Sequence, residues 1–185
     1  CKGDVLMDFT TLGAILRTYE HNAKVIHWGA YGPRFDRVHK LCDEFEEMFH
    51  ADVDFAGETG LRIDQAPPSF DNIMSVLENS DHNYIVCQYK LIGYDEAIKT
   101  LQKMCADVMQ ALIEIHESEL MQKPENMGIK STIESVYDKY DFQVRYLNKR
   151  RAMPKDAGEG YEPHGGHGEH EPNRQPIHDE TPPED

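Results

Sequence analysis

The sequence predicts an all-α protein, a four-helix bundle with a short helix in the crossover between the second and third long helices. Two patterns carry that prediction. Apolar residues recur at alternating threes and fours along most of residues 5–147, the spacing that keeps one helical face on a core. Breaks at Gly, Pro and Asn-Ser-Asp then divide the chain into two long segments, a short one and two more long ones, the order of a bundle with one crossover.

Val5, Phe9, Leu12, Leu16, Tyr19, Ala23 and Ile26 form the seam of a first helix, which Gly29, Gly32 and Pro33 stop. Phe35, Leu41, Phe45, Met48 and Phe55 continue the rhythm through a second helix to about Arg62. Residues 63–68, with Pro67 and Pro68, read as a loop, and Ser69 can cap a short helix carrying Phe70, Ile73, Met74 and Leu77. After an Asn79-Ser80-Asp81 turn, Tyr84, Cys87, Leu91, Tyr94, Ile98, Leu101, Cys105, Val108, Leu112 and Ile115 read as one long third helix. Pro124 suits the start of the fourth, whose seam is Ile129, Ile133, Val136, Tyr140 and Leu147.

Composition changes at Pro154. Residues 154–185 hold six of the ten prolines, five of the 13 glycines and nine acidic residues against Lys155 and Arg174. Such a segment buries too little apolar surface to offset its ordering entropy, so the sequence predicts one domain over 1–153 followed by a flexible acidic tail. The whole chain carries 19 Lys and Arg against 34 Asp and Glu, a net charge of −15. Nucleic-acid affinity comes chiefly from neutralising phosphates, so this balance disfavours polyanions and favours cations. Cys1, Cys42, Cys87 and Cys105 are scattered with no Cys-x-x-Cys pair, which speaks against a zinc ribbon and for a reducing compartment. No apolar run approaches the roughly 18 residues of a membrane span, and no signal peptide is read; the expectation is a cytoplasmic protein.

The first two helices carry five metal-ligand types: His27, His39, Asp43, Asp54 and Glu58. Imidazole and carboxylate together suit iron, manganese or zinc. At about 100° per residue, with His39 at zero, Asp43 falls near 40°, Asp54 near 60° and Glu58 near 100°, so the four share one stripe. Asp43 and Asp54 are nevertheless about 16 Å apart at ~1.5 Å per residue, too far for one ion to bridge. Two copies of the helix packed antiparallel across a two-fold axis would set the His39 end of one beside the Glu58 end of the other, making two equivalent sites per dimer.

The run His27-Trp28, Tyr31-Gly32-Pro33-Arg34-Phe35, His39, Asp43, Asp54 and Glu58 resembles the signature of the Dps miniferritins in order and separation. The resemblance covers residues 5–152 and is strongest over 20–80, where Pro67 to Leu77 resembles the family's short crossover helix. It implies a ferritin-like bundle assembling as a hollow dodecamer that oxidises Fe(II), with hydrogen peroxide preferred over O2, and stores ferric mineral. It also implies that His27, His39 and Asp43 come from one subunit and Asp54 and Glu58 from its two-fold mate. Glu58 would be the main bridging carboxylate at a di-iron site that Zn or Mn can also fill. This sequence lacks the Lys-rich terminal extension through which many members bind DNA, and its own extension is acidic, so protection of DNA is expected to be chemical.

Other readings stay open at the level of sequence. Glu47 and His50 form the Glu-x-x-His of intrasubunit di-iron enzymes of the bacterioferritin or rubrerythrin type, but no second copy occurs in the third or fourth helix. A non-catalytic helical assembly protein is a further alternative. Trp28 either absorbs oxidising equivalents beside the site or packs at an interface. Glu117, Glu119 and Glu125 either line a cation pore or form a solvated helix end, and His164, His167, His170 and His178 either collect metal or belong to a spacer.

Overall fold

The computed structural model describes residues 7–79 and 84–152. Helix α1 spans Phe9–Gly29, α2 Phe35–Leu61, α3 Phe70–Asn79, α4 Tyr94–Glu117 and α5 Met127–Ala152. The tail over 154–185 lies outside the described residues, as do Val5 and Cys1.

Asp8 begins α1, its carboxylate accepting from the Thr11 amide at 2.8 Å. The turn into α2 needs unusual backbone: Gly32 sits at φ +80° and Arg34 at φ 72°. Glycine takes this left-handed conformation without a Cβ clash, which explains its place ahead of Pro33. Ser69 and Asn72 cap α3 reciprocally, the Ser69 amide donating to Asn72 Oδ1 at 2.8 Å and the Asn72 amide to Ser69 Oγ at 3.3 Å. Pro124 opens a single 3-10 turn that leads into α5, so the fourth helix starts three residues after the proline.

The third helix begins ten residues later than its apolar spacing predicts. Residues 84–93 are non-helical, and Tyr84, Cys87 and Leu91 share a helical period without forming a helix. The cause lies in α1. Asn22 is fully buried, its Nδ2 donating to the Ile85 carbonyl at 2.6 Å and its Oδ1 accepting from the Cys87 amide at 2.8 Å. Gly29 and Ile92 then pair backbone to backbone, the Ile92 amide donating to the Gly29 carbonyl at 2.8 Å. These bonds satisfy polar groups that a helix would have satisfied internally, and the segment becomes a strap across α1.

α1 packs on α2 and α4 on α5, with α3 laid on α1. The interior is aromatic: Phe49 lies 6.0 Å from Tyr19 edge-on and 6.1 Å from Tyr140 in a stack. Both tyrosine hydroxyls find carboxylates. Tyr140 donates to Asp52 at 2.6 Å, Lys139 also donates to Asp52, and Tyr19 donates to Asp107 at 2.6 Å.

Candidate metal centre on the α1/α2 face

The last turn of α1 and the first three turns of α2 meet at three of the five predicted donors. The rings of His27 and His39 lie 3.9 Å apart between centroids, and Asp43 Oδ1 lies 2.8 Å from His27 Nδ1. That approach lacks hydrogen-bond geometry, so the buried nitrogen has no hydrogen-bond partner. An orphaned nitrogen facing a carboxylate oxygen is costly unless a third group joins them. Two donors bound at about 2.0–2.2 Å on adjacent corners of one cation stand about 3 Å apart, close to this spacing. The residues present therefore fit a cation of the iron, zinc or manganese class.

Phe35 sits against His39 with centroids 4.1 Å apart. The sequence pattern assigns Phe35 to the core seam, but the structure leaves it 42% exposed and turns it into a wall of the site. Burial, and after it the neighbouring His27, hold His39 below the usual histidine pKa. The neutral ring is the form that binds metal.

Asp54 and Glu58 are not brought to that cluster. Both are exposed, and they line a separate open cavity of about 280 Å³ with Arg17, Leu61 and Pro68. Among the described residues no group of three or more His, Cys, Asp or Glu side chains is placed to hold a metal within one chain. The sequence does not single out Arg17, a cation off the apolar seam of α1 and not a metal-ligand type. Nor does it single out Lys24, which pairs with Glu46 at 2.7 Å beside Asp43.

Glu47 and His50 do not form a centre either. His50 Nδ1 lies 2.9 Å from Glu20 Oε1, Arg17 reaches the other Glu20 oxygen at 2.6 Å, and Glu47 is exposed. Among the described residues no helix is long and apolar enough to cross a membrane.

No family model and no curated protein matches the chain by sequence. Solved structures do match by shape. The antigen TpF1 of Treponema pallidum superposes with a TM-score of 0.67 at 17% identity, covering 80% of this chain and 91% of that one. Dps from Listeria monocytogenes gives 0.66 at 18% identity, covering 83% and 96%. A Dps protein of Vibrio cholerae O1, described as one of the ferritin-like diiron-carboxylate proteins, gives 0.65 at 17% identity over 77% and 86%. By this likeness the all-helical chain has the ferritin-like fold of the Dps proteins.

Proposed function

We propose that the chain is a subunit of a Dps-type cage that oxidises Fe(II) and stores the ferric product, protecting the cell and its DNA by removing iron and peroxide. The observation that carries this reading is the division of the donors. His27, His39 and Asp43 gather at one end of the α2 stripe, while Asp54 stands about 16 Å and Glu58 about 22 Å further along it than Asp43 at ~1.5 Å per residue. An antiparallel partner closes the set: Asp54 and Glu58 of the partner subunit would meet the histidine end of the first. A two-fold axis makes that arrangement twice per dimer, and a dodecamer follows the family pattern.

Each residue then has a task. His27 and His39 donate neutral nitrogen, Asp43 shares the pocket with His27, and Glu58 of the partner subunit bridges two Fe(II) substrate ions. Asp54 of the partner subunit holds or orients them. Two Fe(II) each give one electron to hydrogen peroxide, whose O–O bond breaks, and two protons complete two waters. O2 is a slower oxidant in this reading. The acidic body, net −8 without residues 154–185, concentrates cations and repels polyanions, which favours chemical protection over coating DNA.

An intrasubunit di-iron centre of the bacterioferritin type finds less support. The bundle interior is filled by Tyr19, Phe49 and Tyr140, and its buried carboxylate Asp52 already serves Tyr140 and Lys139. The deciding experiment adds peroxide to anaerobic protein and Fe(II) and follows ferric absorbance. The wild type should exceed buffer, Glu58→Ala should fall by a hundredfold or more, and Glu47→Ala should stay near wild type. A rate equal to buffer contradicts the enzyme, and loss on Glu47→Ala alone favours the intrasubunit reading.

A further inference from the structure

Iron chemistry leaves unexplained a basic cavity of about 550 Å³ between the start of α2 and the end of α5. Taking His39 as zero, Lys40 falls near 100°, level with Glu58 at the edge of the metal stripe but at the other end of the helix, and Arg37 falls near 160°, beyond it. Arg34, Arg37 and Lys40 enter the cavity from the start of α2, and Lys149 and Arg150 from the last turn of α5. Only Asp36 and Glu44 oppose these five cations there. A local excess of positive charge is thus assembled in a chain whose net charge is −15.

Two tyrosines hold the guanidinium groups. Arg34 lies over the Tyr94 ring at 4.9 Å, and Arg150 lies over Tyr146 at 4.6 Å while donating to its hydroxyl. Planes fixed this way lose less freedom when they bind a planar or tetrahedral oxyanion. Among the described residues Arg37, Lys40 and Lys149 form no ion pair within 4.0 Å, so Asp36 and Glu44 do not neutralise them. Like charges gathered in a concavity repel one another and focus a field that draws an anion in.

We propose that this cavity binds a free oligophosphate, an anion with several adjacent phosphoryl groups. The cations stand on the ends of two separate helices, and the cavity lies in the size range of small-ligand pockets, so one phosphate would leave most of them unanswered. Each tyrosine already carries a guanidinium on a ring face, which leaves recognition to the phosphoryl oxygens and not to base stacking. Duplex DNA is the disfavoured source of the same chemistry, since its regular phosphate line would run over an otherwise acidic body. The inference is independent of the iron reading, because Arg37 and Lys149 touch none of its donors.

Calorimetry of the full chain with inorganic triphosphate tests it, with inorganic phosphate and a short DNA duplex as separate arms. Triphosphate should bind more tightly than phosphate and less tightly at higher salt. Arg37→Ala with Lys149→Ala should weaken it at least tenfold, and Lys123→Ala should not, at unchanged helicity and native mass. Acylation by limiting reagent supplies a readout that needs no variant: triphosphate should slow labelling of Lys40 and Lys149 several-fold and leave Lys123 unaffected. Absent heat in the wild type with no lysine protection overturns the proposal. So does DNA binding that the double variant abolishes while triphosphate binds nothing. A drop in native mass of the double variant, without triphosphate binding to the wild type, would assign the cavity to carboxylates of a second copy instead.

Discussion

In the proposed site His39 would have to be neutral to hold metal, and it sits partly buried among His27, Phe35 and Asp43. Burial first, and His27 second, lower its pKa from the ordinary 6.5, against the pull of Asp43 and Asp36. The sign of the linkage follows. The unfolded chain takes up a proton more readily, so the effect is absent above 6.5 and costs stability as pH falls below that value. Between pH 7 and about pH 5.5 the apo protein should lose more stability than a His39→Gln variant, measured by denaturant midpoints at each pH. Equal losses would remove His39 from the account. Buried thiols give a second check. Burial pushes the Cys42 thiol up to about 12 and Cys105 higher still, so neither should react with a thiol reagent at neutral pH until the protein unfolds, as peptide mapping would show. Asp52→Ala should cost about 1–3 kcal/mol by leaving the buried Tyr140 hydroxyl without its acceptor. At this scale the donor types and their stripe were legible, because side-chain chemistry and helical spacing are local properties. Phe35 was not, since whether an aromatic at a helix start faces core or site depends on the turn at Gly32 and Arg34 that precedes it.

The elements that the sequence places correctly are those whose ends carry local signals: Gly29 at the end of α1, Ser69 at the start of α3, Pro124 ahead of α5. The non-helical strap over residues 84–93 carries no such signal, because Asn22, more than sixty residues upstream, makes it. Its apolar spacing fits a helix, and long-range bonds override that spacing. Asn22→Ala should therefore release the strap, costing about 1–3 kcal/mol and raising amide exchange at Ile85 and Cys87 well above that of α4. Gly29 supplies the complementary case. Ala in place of a helical Gly ordinarily stabilises by about 1 kcal/mol. At position 29 a Cβ would run into the Lys90 carbonyl oxygen, so Gly29→Ala should lower the melting temperature and displace the strap. A gain in stability there would mean that strap and helix are not in contact.

For the whole molecule the governing fact is that one chain leaves the candidate donors divided and much apolar surface open. Trp28 is 57% exposed, Leu61 59% and Phe70 74%, the first beside His27 in sequence and the second lining the Asp54 and Glu58 cavity. Exposed apolar surface of this kind beside the candidate donors is what the proposed pairing face requires. The pairing proposed for it rests on the spacing between Asp43 and Asp54, since no sequence signal states which copy would complete which site. The most direct measurement mixes two inactive chains, one with His27→Ala and His39→Ala and the other with Glu58→Ala, unfolded together and reassembled. If donors are shared across a two-fold axis, each mixed dimer has one intact site, and random pairing should restore roughly a quarter of wild-type Fe(II) oxidation. If co-assembled mixed particles of native size stay as inactive as either parent, each chain must hold its own site, and the account given by the α2 stripe is wrong.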